Sequence, residues 1–296
     1  MQKIVPHLWF DTEAVAAARL YTSLFDSSSI VNSSTMDDTP SGSVETLKIL
    51  LSGQEFILMS AGPLFRFTPA LSFLVACDTK KEVDRLWQGL REGGSELMPL
   101  DTYPFSERYG WLQDRYGLSW QIMHAGEKGY SQKITPTLMF VGDQCGKSEE
   151  AIRFYASVFR NADVGDLLRY GPGEEPDREG TLKHAAFTLE GQEFAAMDSA
   201  YEHGFTFSEA VSFMVRCDSQ EEVDFFWSSL SAHPEAEQCG WLKDRYGLSW
   251  QIVPTVLDEM MGSGDPSRTA RVTAAFLKMK KFDIAGLRKA YKEDTR

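Results

Sequence analysis

Two carboxamides and two hydroxyls stand at matching places in a phrase that the chain spells twice. GWLQDRYGLSWQI begins at Gly110 and GWLKDRYGLSWQI at Gly240, and the two differ only at Gln113 and Lys243. Gln121 and Gln251 follow Trp120 and Trp250, with Ser119 and Ser249 just before them. A carboxamide donates and accepts, a hydroxyl does the same, and neither acts as a strong base or nucleophile unaided. The chemistry they offer is recognition. An amide on a half-buried strand is either satisfied by protein partners or presented to a ligand, because an unpaired buried polar group is costly. Trp111, Trp120, Trp241 and Trp250 read as core packing or as aromatic walls for such a ligand.

Other reactive residues give weaker patterns. His7, His124, His184, His203 and His233 are scattered, and only His184 lies in an apolar strand-like run, KHAAFTL, where it reads as a satisfied strand histidine. Cys77, Cys145, Cys217 and Cys239 are far apart, form no CxxC and read as free thiols. Cys239 directly precedes the second phrase, yet a nucleophile there needs a lowered pKa and a base. The formal charge of -13 argues against a nucleic-acid partner, which requires a basic face. The sequence shows neither an apolar run of about 18 residues nor a basic-then-apolar start, so a cytoplasmic protein without a membrane segment is expected.

Strands and turns must position these residues. DRYG between two apolar runs reads as a hairpin turn, with Gly117 and Gly247 supplying positive φ. A loop of two or four residues would pair Trp111 with Trp120 and Leu112 with Ser119. Either way, Trp120 and Gln121 face opposite sides of their strand.

The duplication extends along most of the chain. IVPHLWF (4–10) answers ITPTLMF (134–140), ARLYTSLF (18–25) answers IRFYASVF (152–159), and GQEF recurs at Gly53 and Gly191. SFLVACDTKKEVDRLW (72–87) answers SFMVRCDSQEEVDFFW (212–227) in the same order. Within each copy a strand precedes an amphipathic helix and three more strands (29–36, 44–51 and 55–60 in the first). The order then restarts at SFLVAC, with Asp78 as the expected cap of a helix burying Val83, Leu86, Trp87 and Leu90. Each copy is therefore a doubled βαβββ pattern in an α+β fold. The expected divisions are 1–125, a second copy within 126–254 that opens on the linker 126–133, and a helical extension over 255–296.

The I-x-P-x-L-x-F strand, the GQEF turn, the V-x-C-D segment and the repeated tryptophan phrase resemble the PhnB-like branch of the vicinal-oxygen-chelate superfamily, which includes glyoxalases, dioxygenases and bleomycin-resistance proteins. The closing MKKFDIAGLRKAY (279–291) also resembles the tail of that branch. The resemblance implies two tandem glyoxalase-like units, each of paired βαβββ modules forming a curled mixed sheet with helices on its convex side. It also implies an intramolecular pseudo-dimer and leaves a further homodimer open. Metal-using members hold a divalent ion with two His and one Glu. Here Gln121 and Gln251 fall at the Glu position, Val5 and Thr135 at the first His position, and Ala70 and Ala210 at the other. His7 stands close by but is expected on the opposite strand face.

A neutral amide is a poor ligand for such an ion, so neither metal nor other cofactor is expected. Phe67 and Phe207, in the loops joining the half-units, are expected to pack those loops or to wall the cups. Some relatives carry a demethylubiquinone methyltransferase label, but the sequence has no glycine-rich strand-to-helix turn for the methyl donor. The expected function is metal-free binding of a small, partly apolar organic molecule, with Gln121, Gln251, Ser119, Ser249, Phe67 and Phe207 as candidate contacts. The alternatives are a metal-dependent lyase, dioxygenase or thiol transferase that recruits His7 or His184, and an interaction module with filled cups.

Overall fold

The computed structural model describes residues 2–39 and 42–292. Four modules follow one another along the chain. The first contains β1 (Ile4–Phe10), α1 (Ala14–Leu24), β2 (Ser29–Thr39), β3 (Gly42–Leu51) and β4 (Gln54–Ser60). The second contains β5 (Leu71–Cys77), α2 (Lys80–Arg91), β6 (Ser95–Tyr103), β7 (Ser106–Gln113) and β8 (Ser119–His124). The third contains β9 (Ile134–Phe140), α3 (Ser148–Val158), β10 (Asp163–Arg169), β11 (Leu182–Leu189) and β12 (Gln192–Asp198). The fourth has β13 (Val211–Cys217), α4 (Gln220–Leu230), β14 (Trp241–Lys243) and β15 (Ser249–Pro254), one strand fewer than the others. Three helices close the chain: α5 (Thr255–Met261), α6 (Pro266–Phe276) and α7 (Ile284–Lys292).

Local chemistry explains these boundaries. α2 starts at Thr79, whose Oγ1 accepts the Glu82 N–H at 3.1 Å, while the Glu82 carboxylate accepts the Asp78 N–H at 3.1 Å. The cap is thus Thr79 rather than Asp78, because a threonine three residues before a glutamate forms a reciprocal capping box. Ser219 and Glu222 repeat it at α4. The buried face of α2 is Val83, Leu86, Trp87 and Leu90, as its spacing requires.

The described chain divides into two compact units, a larger one of residues 8–211 and a smaller one of 1–7 with 212–296. The larger holds the whole of an eight-stranded sheet in the order β10-β11-β12-β9-β5-β8-β7-β6. It joins two modules, as the resemblance implies, but they come from different copies. The second module of one copy meets the first module of the next along β5 and β9, antiparallel from Leu71↔Leu138 to Val75↔Ile134. In the smaller unit the order is β14-β15-β13-β1, where the Arg216 N–H donates to the Lys3 carbonyl at 3.0 Å, so the fourth module meets the first. The end of β1 lies in the larger unit, at one side of the order β1-β4-β3-β2. Modules are therefore exchanged between copies, and sequence repeats and sheets are differently bounded.

The segment after α6 runs beside β14. The Cys239 N–H donates to the Met279 carbonyl at 2.8 Å, and the Gly240 N–H to that of Lys280 at 2.7 Å. In the second module the equivalent neighbour is β6, where Asp101 pairs with Tyr109. The stretch ELMPLDTYPFSERY (96–109) contributes most of this extra strand in one copy, and the tail takes its place in the other. Phe282 is buried over Gly240, where any Cβ would approach its ring to 2.4 Å, so this glycine is required by contact as well as by its φ of +83°.

Candidate functional site

The repeated phrase builds a β-hairpin whose loop is longer than either even length considered above. β7 and β8 pair as Trp111↔Gln121, Leu112↔Trp120 and Gln113↔Ser119, leaving Asp114 to Leu118 as a five-residue loop. The cause is the Asp114 side chain: Oδ1 accepts the Tyr116 N–H at 2.9 Å and the Leu118 N–H at 3.1 Å, drawing Leu118 into the turn. The pairing of Trp111 with Trp120 is accordingly corrected by one residue. Trp111 now shares a face with Gln121, and Leu112 with Trp120. The second phrase repeats this register, with Trp241↔Gln251 and Leu242↔Trp250.

On the helix-bearing face Trp120 is fully buried, against Tyr21, Phe25 and Phe73. Its indole N–H donates to Asp114 Oδ2 at 2.9 Å, and the Tyr21 hydroxyl donates to the same oxygen at 2.7 Å. Burial pushes the Asp114 carboxyl above its usual pKa, against the downward pull of its four hydrogen bonds. Trp250 repeats the arrangement with Asp244 at 2.9 Å. These two tryptophans are core residues and hairpin anchors.

The opposite face carries the polar rows. In the larger unit the Tyr109 hydroxyl donates to Gln121 Oε1 at 2.8 Å, Gln121 Nε2 donates to Ser72 Oγ at 2.8 Å, and Trp111 Nε1 donates to Ser119 Oγ at 2.7 Å. Gln121 and Ser119 therefore lie in a closed network of protein partners. In the smaller unit Gln251 Nε2 donates to Ser212 Oγ at 2.9 Å, but Cys239 stands where the first copy has Tyr109. Ser249 Oγ is buried without a hydrogen-bond partner among the described residues, as is His7 Nδ1. The His7 ring meets Trp241 edge-on at 5.4 Å, which places it on the Gln251 face. The expectation that His7 points the other way is corrected: Val5 and His7 are two residues apart and share a strand face. Burial pushes the His7 pKa down to about 3.

Phe67 and Phe207 are elsewhere. Phe67 packs edge-on against Phe10 at 5.0 Å and Phe207 against Phe140 at 5.2 Å, fastening the loops that join modules. Those loops also hold each other: Thr68 Oγ1 donates to the Thr206 carbonyl at 2.7 Å, and Ser208 Oγ to that of Arg66 at 2.6 Å. Cys77 and Cys217 are buried thiols whose pKa is pushed up to about 12. Burial also raises Cys239, whose sulfur sits against the Gln238 amide and the Phe276 carbonyl.

The open space lies beside Gln121. A cleft of about 630 Å³ opens on the same face of the eight-stranded sheet. Its apolar floor is Leu74 and Ala76, which continue the row of Ser72 on β5, with Met123 beyond Gln121 on β8. Thr135 pairs with Leu74, and Ala195 and Ala186 pair across β12 and β11 to form the far wall. His184 lies on the same wall, its pKa lowered by desolvation. Asp163 and Glu193 close one end, flanking Thr188 on adjacent strands. Of these residues only His184 and Thr135 are singled out by sequence reasoning; the available signal for the rest is the pair of alanine doublets, Ala185–Ala186 and Ala195–Ala196, which are poor strand formers.

The residues do not fit the ion of the metal-using superfamily members. At the Glu positions are amides that donate to serines, and among the described residues no three His, Cys, Asp or Glu side chains converge as a metal site requires.

Comparison with known proteins matches this architecture. A solved PhnB protein from Bacillus cereus is 42% identical over 42% of this chain and 100% of its own, with a TM-score of 0.40. Glyoxalase I from Zea mays is 13% identical over 87% of this chain and 96% of its own, with a TM-score of 0.51, and shares the fold. No curated protein matches the chain. The model of the family described as 3-demethylubiquinone-9 3-methyltransferase matches residues 2–123 and again residues 132–253. With two tandem matches spanning most of its length, the chain belongs to that family.

Proposed function

We propose that the open face of the eight-stranded sheet binds a small, partly apolar organic molecule without using a metal. The observation that carries this reading is the cleft of about 630 Å³, a volume suited to a small ligand, with an apolar floor and a few convergent polar groups. Gln121, paired with Leu74 of the floor, borders the cleft with its orientation fixed by hydrogen bonds to Tyr109 and Ser72, while Ser119 is fully buried and bonded to Trp111. Gln251 and Ser249 hold the equivalent positions in the smaller unit. The family's description names a demethylated ubiquinone as substrate, and a ring-bearing molecule of that kind suits this lining, so a short-chain quinone belongs among the ligands tested.

Ala186 lies at the middle of the far wall, and Ala186→Trp fills the cleft from an exposed strand position. The neutral dye Nile red is expected to bind the unmodified chain with a fluorescence rise, and the variant is expected to lose that rise while keeping its circular dichroism. Equal dye binding by a folded Ala186→Trp chain overturns the assignment of the site. Stoichiometric divalent metal in purified protein overturns its metal-free part and favours the enzymatic alternative.

A further inference from the structure

The two ends of this cleft differ in charge. At one end Asp163 of β10 and Glu193 of β12 project from the cleft face on either side of Thr188, paired with it across both neighbouring strands. Among the described residues neither carboxylate is in an ion pair: the recorded side-chain contact of Glu193 is the Ser131 hydroxyl, and Asp163 is held by its backbone N–H, which donates to Thr188 Oγ1 at 3.0 Å. No lysine or arginine is among the described residues lining the cleft. The nearby Lys133 is spoken for, with its ammonium 2.7 Å from Glu82 and over the Tyr130 ring at 5.0 Å. The other end, around Leu74, Ala76 and Met123, is apolar.

Two carboxylates on either side of Thr188, without a counter-charge in the lining of an apolar trough, repel anions and attract cations. Resting on the binding role proposed above, we infer that the preferred ligand is a cationic amphiphile: an apolar body lying over Leu74, Ala76 and Met123, with an amine or ammonium group between Asp163 and Glu193. The carboxylates set selectivity, and the apolar floor supplies contact area. Thr188 and Ser131 offer hydroxyls to the same group.

Three dyes of similar size test this on the full-length chain: acridine orange as the cation, Nile red as the neutral probe and anilinonaphthalene sulfonate as the anion. The cation is expected to bind most tightly and the anion most weakly. Asp163→Asn with Glu193→Gln is expected to weaken the cation by about tenfold or more, the loss of one charge-assisted contact, and to leave Nile red unchanged. Raising salt from 0.02 to 0.5 M, a choice of conditions spanning weak to strong screening, should weaken the cation alone. Anion binding as tight as cation binding, or a double variant that leaves the cation's affinity and salt dependence unchanged, overturns the charge assignment. In that case Nile red binding that Ala186→Trp abolishes leaves the small-molecule role standing; Nile red binding that survives Ala186→Trp removes both.

Discussion

His7 is an imidazole placed where it cannot carry its charge. Its Nδ1 has no hydrogen-bond partner among the described residues, its ring lies against Trp241, and burial lowers its pKa to about 3. In the unfolded chain it titrates near its ordinary 6.5, so on acidification the unfolded state takes up the proton first. Stability is therefore lost as pH falls below about 6.5, and this residue alone accounts for about 2 kcal/mol between pH 7 and pH 5. His7→Leu is expected to flatten that slope in urea unfolding, because an apolar side chain leaves no buried donor or acceptor behind. Identical slopes for both proteins would sink the idea. The sequence alone showed that His7 lies close to a position of chemical interest. Its face was misread, although the two-residue strand period connects it directly to Val5.

At the scale of elements, the hairpin shows how a side chain can decide a register. Asp114 holds two loop amides, the Trp120 indole and the Tyr21 hydroxyl, joining the turn to α1 across the core. Asp114→Ala would leave four donors without their acceptor and is expected to destabilise the fold by about 3 kcal/mol or more. Urea unfolding monitored by tryptophan fluorescence measures this, and a change below about 1 kcal/mol would show that the carboxylate is not the anchor. The pattern of strands and helices was legible because two-residue and helical periods alternate cleanly, and Gly117 marked the turn. The five-residue loop was not, because its length depends on Oδ1 capturing the Leu118 amide, a contact that composition does not announce. The cleft was also hidden: Gln121 could be found from its repetition, but Leu74, Thr135, Ala186 and Ala195 meet only once four strands from two copies are side by side.

For the whole molecule, the exchange of modules sets what can fold alone. β5 has β9 as its antiparallel neighbour, so residues 1–125 taken alone lack the strands that complete the sheet carrying Gln121. That fragment is expected to assemble as a dimer, each chain lending a module to the other, and light scattering of a folded monomer would contradict the exchange. The doubled pattern was plain in the sequence, since matching phrases occur in the same order. Which module pairs with which was not, because β5 and β13 share the same apolar pattern and either could serve either partner.

Two identical chains that trade modules must accept every substitution in both of their sheets. Joining the copies end to end removes that coupling, and the chain has used the freedom: Tyr109 against Cys239, and Thr137 against His7, each occur on one side only. One sheet has two hydroxyl-bearing residues in the polar row beside its cleft, while its counterpart has a cysteine and a histidine at those places, so a single polypeptide carries two related surfaces that can diverge separately.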